Sequence, residues 1–146
     1  MIKEYMTYGC ITQKLDTKVE EIAQKMKEYN IGFVPITEEN KIIGVITDRD
    51  IVVGAIANKD DKIEPYIQRN IYTIEENSSL REALEEMKKH KVKRLLVTKE
   101  NKAIGILSLS DLLQDNPEGL LETIQTIFTI EDNKREQVTE IDAFYL

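Results

Sequence analysis

The sequence has no tryptophan, a single cysteine and a single histidine, and each shortage excludes a class of site. Cys10 has no second cysteine with which to form an internal disulfide, which suits a reducing compartment. One cysteine and His90 cannot supply the usual four ligands of a structural zinc ion. We therefore expect a cytoplasmic protein with no metal site and no required cofactor.

Long apolar runs and an excess of basic residues are also missing. No uninterrupted apolar stretch approaches the roughly 20 residues that a membrane-spanning helix needs. The formal net charge is −7, from 27 acidic and 20 basic residues. Binding to a phosphate backbone requires a basic surface, so we expect no nucleic-acid partner, and we expect no membrane association. A small nucleotide remains compatible with this charge, because it needs only two or three basic side chains in one place.

What the sequence does contain is an internal repeat without gaps. When the chain is shifted by 61 positions, the segment 10–51 aligns with the segment 71–112. Substitutions between the two segments mostly keep polarity, so the apolar pattern and the turn residues are preserved together. The identical pairs include Thr12/Thr73, Glu21/Glu82, Met26/Met87, Thr37/Thr98, Asn40/Asn101, Lys41/Lys102, Ile43/Ile104, Gly44/Gly105 and Asp50/Asp111.

Each copy of the repeat is predicted to fold as strand, helix, strand, strand, helix. Apolar residues recur at i, i+3, i+4 and i+7, which predicts a helix with one face on a sheet. These faces are Val19, Ile22, Ala23, Met26 and Tyr29 in the first copy, and Leu80, Ala83, Leu84, Met87 and His90 in the second. The predicted strands are 10–11, 32–37 and 41–47, then 71–72, 93–98 and 102–108, and the closing helices are 48–57 and 109–114.

Local signals support the starts of these helices and the turns between the strands. Thr17 with Glu20, and Ser79 with Glu82, have the spacing of a capping box at a helix start. An asparagine in each short connection between two strands tolerates left-handed backbone, which suits a hairpin.

The predicted fold class is α+β, with two tandem β-α-β-β-α repeats related by pseudo-two-fold symmetry and a C-terminal helical tail. A single copy would bury too little surface to be stable alone, so we expect the two to pack sheet to sheet. Copy one is assigned to residues 1–57, a linker to 58–65, copy two to 66–115, and a helix and tail to 116–146. Within the tail, 131–140 is expected to be a solvated charged arm, and 141–146 to dock on this molecule or on a second copy.

The junctions at the end of each copy carry a resemblance to a known family. They read GVITDRDI at 44–51 and GILSLSDL at 105–112, a pattern of Gly, two apolar residues, Ser or Thr, and Asp three positions later. Over roughly residues 5–114 the chain resembles a tandem pair of cystathionine-β-synthase (CBS) domains, the Bateman module. That resemblance implies a regulatory ligand such as AMP, ADP, ATP, S-adenosylmethionine, an NAD-type compound or a cyclic dinucleotide, bound in clefts between the copies. It also implies an associated enzyme or transporter as the regulated partner.

The resemblance further implies two crosswise sites, each combining the junction of one copy with strands of the other. One carboxylate can accept hydrogen bonds from both hydroxyls of a ribose, and the dipole of a helix start favours the ionised aspartate. Backbone groups near Ile11 and Tyr72 are expected to read the adenine edge, with Ile31 and Val92 flanking the ring. Site one comprises Thr47, Arg49, Asp50, Ile71, Tyr72, Val92, Lys93 and Arg94; site two comprises Gly9, Ile11, Ile31, Gly32, Phe33, Ser108, Ser110 and Asp111.

Both sites have a structural interpretation as well as a functional one. Thr-x-x-Asp is also a variant of the capping box, and the two roles can coexist. Lys93 and Arg94 fit phosphate binding, or a solvated strand end in a basic run. Their equivalents in copy one are Gly32 and Phe33, so we expect site one to prefer phosphorylated ligands over adenosine and site two to gain little from a phosphate.

We therefore expect a stand-alone regulatory module that binds an adenosine-type small molecule and signals to a partner. The alternative is a protein–protein interaction module with no nucleotide ligand. The sequence does not favour an enzyme, because it offers neither a phosphate-binding glycine loop nor a set of nucleophile, base and orienting group. A homodimer is predicted because the closing helices carry more apolar residues than one face can bury, namely Ile51, Val52, Val53, Ile56, Leu112 and Leu113.

Overall fold

The computed structural model describes residues 1–115 and 119–134, and in that part of the chain it shows the predicted repeat. Copy one consists of β2 (Gln13–Lys14), α1 (Val19–Tyr29), β3 (Phe33–Glu38), β4 (Lys41–Thr47) and a helix with π-type hydrogen bonding, Asp50–Ile56. Copy two consists of β5 (Thr73–Glu75), α2 (Leu80–His90), β6 (Arg94–Lys99), β7 (Lys102–Ser108) and α3 (Leu109–Asp115). A short strand β1 (Thr7–Tyr8) precedes copy one, and α4 (Leu120–Lys134) follows copy two.

The two sheets have matching topology and matching irregularities. Within each copy the first strand, β2 or β5, runs parallel to the second, β3 or β6. The second strand then forms an antiparallel hairpin with the third, β4 or β7. The register shifts between Ile36 and Thr37 in one hairpin and between Val97 and Thr98 in the other. The turn residues Asn40 and Asn101 both have φ of 62°, which confirms the left-handed turns expected of these asparagines.

Each copy is completed by a segment that crosses from the other. β1 pairs antiparallel with β7 of copy two, with Thr7 opposite Ile106, and in the same way Gln68 pairs with Val45 of copy one. Glycine stands where each crossing segment approaches most closely. A Cβ on Gly44 would lie 2.8 Å from the carbonyl oxygen of Gln68, and a Cβ on the equivalent Gly105 would meet the carbonyl of Thr7. The two copies are therefore joined through the edges of their sheets.

Each copy has its own apolar core. The core of copy one includes Ile22, Val34 and Ile46. The core of copy two also takes in Ile2 from the N-terminal segment and Ile130 from α4, which packs against α2 and α3. No helix among the described residues has the length and apolar character to span a bilayer.

Two expectations about local structure, the position of the first strands and the capping box at Thr17, are wrong. The first strands are β2 and β5 and not 10–11 and 71–72, and Cys10 and Ile71 instead line a groove between the copies. Burial also raises the pKa of the Cys10 thiol. The capping box at Thr17 does not form. Lys18 is the N-cap of α1, and the N–H of Val19 donates instead to the linker carbonyl of Asp61 at 3.0 Å.

The capping box in copy two is confirmed. The N–H of Glu82 donates to Ser79 Oγ at 3.2 Å, and the N–H of Ser79 donates to Glu82 Oε2 at 2.7 Å. These bonds, from the Ser79 backbone first and then from its side chain, hold the pKa of Glu82 below its ordinary value. Local sequence thus decided the start of α2, whereas a distant backbone group decided the start of α1.

The apolar residues of the closing helices are only partly exposed, which corrects the basis of the predicted dimer. Ile51 and Leu112 are buried, and Leu113 is half-buried. Val52, Val53 and Ile56 are exposed, each by more than half. The charged stretch expected at 131–140 is helical as far as Lys134, and the rest of that stretch, with the apolar end at 141–146, lies outside the described residues.

Candidate functional site

The junction between β4 and the π-helix is closed by reciprocal hydrogen bonds. The N–H and Oγ1 of Thr47 both donate to Asp50 Oδ2 at 2.9 Å, and the N–H of Asp50 donates to Thr47 Oγ1 at 3.2 Å. This is the capping arrangement that the Thr-x-x-Asp spacing allowed. All of the capping bonds to the carboxylate fall on Oδ2, so capping leaves Oδ1 available for another donor.

A cleft of about 290 Å³ lies beside this junction, between the two copies. Every residue predicted for site one lines it. The lining is Phe33, Val45, Thr47, Asp48, Arg49, Asp50, Gln68, Asn70, Ile71, Tyr72, Lys91, Val92, Lys93, Arg94 and Leu96. The fold brings these residues together because β4 of copy one and the start of β6 of copy two face each other across the interface.

Phe33 lies in the site-one cleft, although it was predicted for site two. Its ring centroid is 5.7 Å from Cζ of Arg94, within the range of a cation–π contact. Phe33 and Arg94 are equivalent positions of the repeat, and equivalent residues meet where they lie on the pseudo-two-fold axis. Phe33 therefore lines site one, and its predicted part in site two stays a prediction.

The cleft is locally cationic in a chain that is acidic as a whole. Arg49, Lys91, Lys93 and Arg94 line it together with two carboxylates. Within the described residues, Arg49 and Arg94 form no ion pair. The backbone of Lys93 is held by the N–H of Leu109, which donates to its carbonyl at 2.8 Å. A ligand that carries negative charge would therefore find cations already gathered at this site.

Tyr72, one of the residues that line the cleft, stacks on a histidine behind it. Tyr72 and His90 lie with ring centroids 4.0 Å apart and planes 20° from parallel. His90 is the last residue of α2, as expected, and its Nε2 lies 3.1 Å from Oε2 of Glu86. The stack therefore ties Tyr72, a residue of the cleft, to the end of α2.

At site two the structure brings together the junction residues. The N–H of Ser108 donates to Asp111 Oδ2 at 3.0 Å, the N–H of Asp111 donates to Ser108 Oγ at 3.1 Å, and Ser108 Oγ lies 2.9 Å from Ser110 Oγ. The carbonyl of Gly32 accepts from the N–H of Asp48 at 3.0 Å, as the carbonyl of the equivalent Lys93 accepts from the N–H of Leu109. Gly9 pairs with Ile104, and among the described residues no hydrogen bond links the serines or Asp111 to Gly9, Ile11, Ile31 or Gly32.

Cleft size alone does not select the site. Two other clefts, of about 660 and 760 Å³, lie near the linker and between the tips of the two hairpins. Neither includes a residue of the two junctions. The smaller cleft is favoured because it combines a positioned carboxylate with a cluster of cations.

Gln68 was not anticipated as a member of the site. Its Nε2 lies 2.9 Å from Asp50 Oδ2, so it donates a hydrogen bond to the same oxygen that caps the helix. The only signal in the sequence was its position three residues before Ile71. The side-chain contact depends on the crossing of this segment onto β4.

Comparison with known proteins agrees with this architecture. The family model of the CBS domain matches residues 2–55 and 63–116, one match for each copy. The chain therefore belongs to the CBS domain family and carries two CBS domains in tandem. It is 36% identical over 116 residues to protein YlbB of Bacillus subtilis, which covers 76% of this chain and 78% of YlbB.

Two further similarities bear on ligands and partners. The crystallised CBS domain pair of protein MJ0100, in complex with 5′-methylthioadenosine and S-adenosyl-L-methionine, is 26% identical with a TM-score of 0.71, covering 78% of this chain and 97% of that one. Inosine-5′-monophosphate dehydrogenase of Methanocaldococcus jannaschii is 37% identical over 113 residues, which are 76% of this chain but 22% of the enzyme.

Proposed function

We propose that this chain is a regulatory module that binds an adenosine-containing ligand at site one, between its two CBS domains. The observation that carries the proposal is the composition of the cleft. The Asp50 carboxylate, hydrogen-bonded at a helix start, lines it together with cations from both copies. Asp50 Oδ1 accepts from the ribose hydroxyls, and Arg94 with Arg49 binds a phosphate. The adenine ring lies against Tyr72 and Val92.

The ligand class is supported by a relative and by the chemistry of the cleft. The similar CBS domain pair of protein MJ0100 was crystallised with two adenosine compounds, 5′-methylthioadenosine and S-adenosyl-L-methionine. A guanidinium offers several N–H donors in a planar fork, which suits a phosphate. We therefore place nucleotides such as AMP ahead of uncharged adenosine at site one. Site two, with Gly32 in place of a cation, is proposed to gain little from a phosphate.

The proposed output is control of a protein partner. A CBS pair similar to this chain occurs within inosine-5′-monophosphate dehydrogenase, where the similar part is a small fraction of the enzyme. By analogy we propose that ligand occupancy here is passed to an enzyme or transporter, and that this chain catalyses no reaction itself. A cytoplasmic location is part of the proposal and is supported by the use of a single, half-buried cysteine.

We also propose a homodimer through the helices of copy one. In copy two the equivalent surface is covered by α4, which packs on α2 and α3. In copy one Val52, Val53 and Ile56 stay exposed side by side on the π-helix. A contiguous apolar surface of this kind commonly marks an interface, and a two-fold dimer is its commonest use.

A thermal-shift panel tests the proposed function directly. The panel contains AMP, ATP, S-adenosylmethionine, NADH and cyclic di-AMP, with GMP as a control that keeps ribose and phosphate but changes the base. A ligand present at 100 times its dissociation constant is expected to add about 2.7 kcal/mol to the free energy of unfolding. If no adenosine compound raises the melting temperature, the interaction module without a nucleotide becomes the better description.

A further inference from the structure

Gln68 lies where the chain leaves the linker and crosses onto the sheet of copy one. Its N–H donates to the carbonyl of Val45 at 2.8 Å, and the N–H of Val45 donates to the carbonyl of Gln68 at 2.9 Å. Gly44 allows this close approach of the two backbones, because a Cβ at this position would lie 2.8 Å from the Gln68 carbonyl oxygen. The backbone of Gln68 is therefore held in register with β4, the strand that leads into Thr47 and Asp50.

The side chain of Gln68 is directed to the carboxylate of the site. Its Nε2 lies 2.9 Å from Asp50 Oδ2, and since a carboxylate offers only acceptors, the amide donates through this nitrogen. The same oxygen accepts two bonds from Thr47. Three donors on Oδ2 restrict the rotation of the carboxylate. No hydrogen bond from residues 1–115 or 119–134 reaches Oδ1.

Copy two provides an internal comparison. Thr7 is the position equivalent to Gln68, and its backbone pairs with Ile106 of β7 as Gln68 pairs with Val45. Asp111 has the capping bond from the N–H of Ser108, at 3.0 Å. Within the described part of the chain, the side chain of Thr7 makes no hydrogen bond to Asp111. The backbone geometry is thus repeated, but among the described residues Asp50 accepts from three donors and Asp111 from one, and a donor from the crossing segment is present only at site one.

We propose that Gln68 is a positioning residue that holds Asp50 so that Oδ1 receives the ribose hydroxyls, and that it makes site one the ribose-selective site of the pair. This inference rests on the proposed function, since it presumes that an adenosine compound binds there. Two vicinal hydroxyls can converge on a carboxylate only when its plane is correctly turned. A carboxylate already held in that orientation loses less conformational freedom when the ligand binds.

The test uses one substitution and two nucleotides. Gln68→Met keeps the length of the side chain and removes the donor, and the side chain is exposed, so the fold is expected to survive. Calorimetry with AMP and with 2′,3′-dideoxy-AMP, which lacks both hydroxyls, measures the preference for ribose. We expect the substitution to weaken AMP about tenfold, the effect of roughly 1.4 kcal/mol, and to leave dideoxy-AMP unchanged.

Two further variants complete the test. Gln68→Asn, one methylene shorter, should lose the same preference, whereas Thr7→Ala, the matched change in copy two, should keep it. If the wild-type chain binds neither nucleotide, both the proposed function and this inference are overturned. If the wild type prefers AMP but Gln68→Met changes both affinities equally, or neither, the inference about Gln68 is overturned while the proposed function stands.

Discussion

Replacement of Arg94 by alanine tests where the phosphate of a bound nucleotide lies. Arg94 lines the cleft with its Cζ 5.7 Å from the Phe33 ring centroid, and it has no ion pair among the described residues. Within the part of the chain that the structure describes, the substitution breaks no salt bridge, so its effect on binding reports the contact with the ligand. A hydrogen bond to a charged group contributes about 1.5–3 kcal/mol, so AMP should weaken about tenfold to a hundredfold. Adenosine, without a phosphate, should be nearly unaffected.

Calorimetry of the full chain with AMP and adenosine measures both quantities. Arg81→Ala is the control for loss of charge: it removes the same charge from an exposed helix position outside the cleft, together with the ion pairs of Arg81 to Glu85 and Glu122. Asp50→Ala should weaken both ligands, since both carry a ribose. An equal loss of adenosine in Arg94→Ala would mean that the arginine acts through Phe33 and not through phosphate. If Arg94→Ala leaves AMP binding intact and Asp111→Ala abolishes it, the phosphate was assigned to the wrong cleft.

Four further predictions concern stability and assembly. Ser79→Ala should cost about 1 kcal/mol in urea unfolding, whereas Lys18→Ala, at the equivalent cap without a side-chain bond, should cost little. Because the pKa of Glu82 is lowered in the folded state, its carboxylate contributes to the free energy of unfolding. This contribution should be complete above the ordinary pKa of the group and lost as the pH falls through its pKa in the folded state. Glu82→Gln should remove that part of the acid dependence of stability. Gly44→Ala should destabilise by about 1–3 kcal/mol, because its Cβ meets the crossing backbone, and an unchanged urea midpoint would contradict this. Ile56→Asp should convert a dimer to a monomer in sedimentation, and a wild-type monomer at tens of micromolar would remove the dimer proposal.

Most secondary structure could be predicted because its causes are local. The apolar spacing in α1 and α2 selects the buried face of each helix, and Asn40 and Asn101 adopt the left-handed turns that their hairpins need. Ser79 caps α2 with its own neighbours. The repeat strengthened each of these predictions, since a pattern present twice at a constant shift is unlikely to arise by chance.

The start of α1 shows where local reasoning failed. Thr17 and Glu20 have the spacing of a capping box, but the free N–H of Val19 is satisfied by the carbonyl of Asp61, from the linker. A backbone N–H at a helix start donates to whichever acceptor the fold places within reach. Nothing near residue 17 reveals that the linker returns to this point.

For the site, the sequence by itself determined the chemistry: a hydroxyl and a carboxylate three residues apart at each junction, with cations near only one of them. Tertiary structure decided which residues share a cleft. It placed Phe33 against Arg94, because equivalent residues meet on a pseudo-two-fold axis. It also brought Gln68 to Asp50, because the segment that follows the linker pairs with the sheet of copy one. The order of residues specifies which chemical groups each junction carries. Contacts between the copies depend instead on how a segment of one copy pairs with the sheet edge of the other.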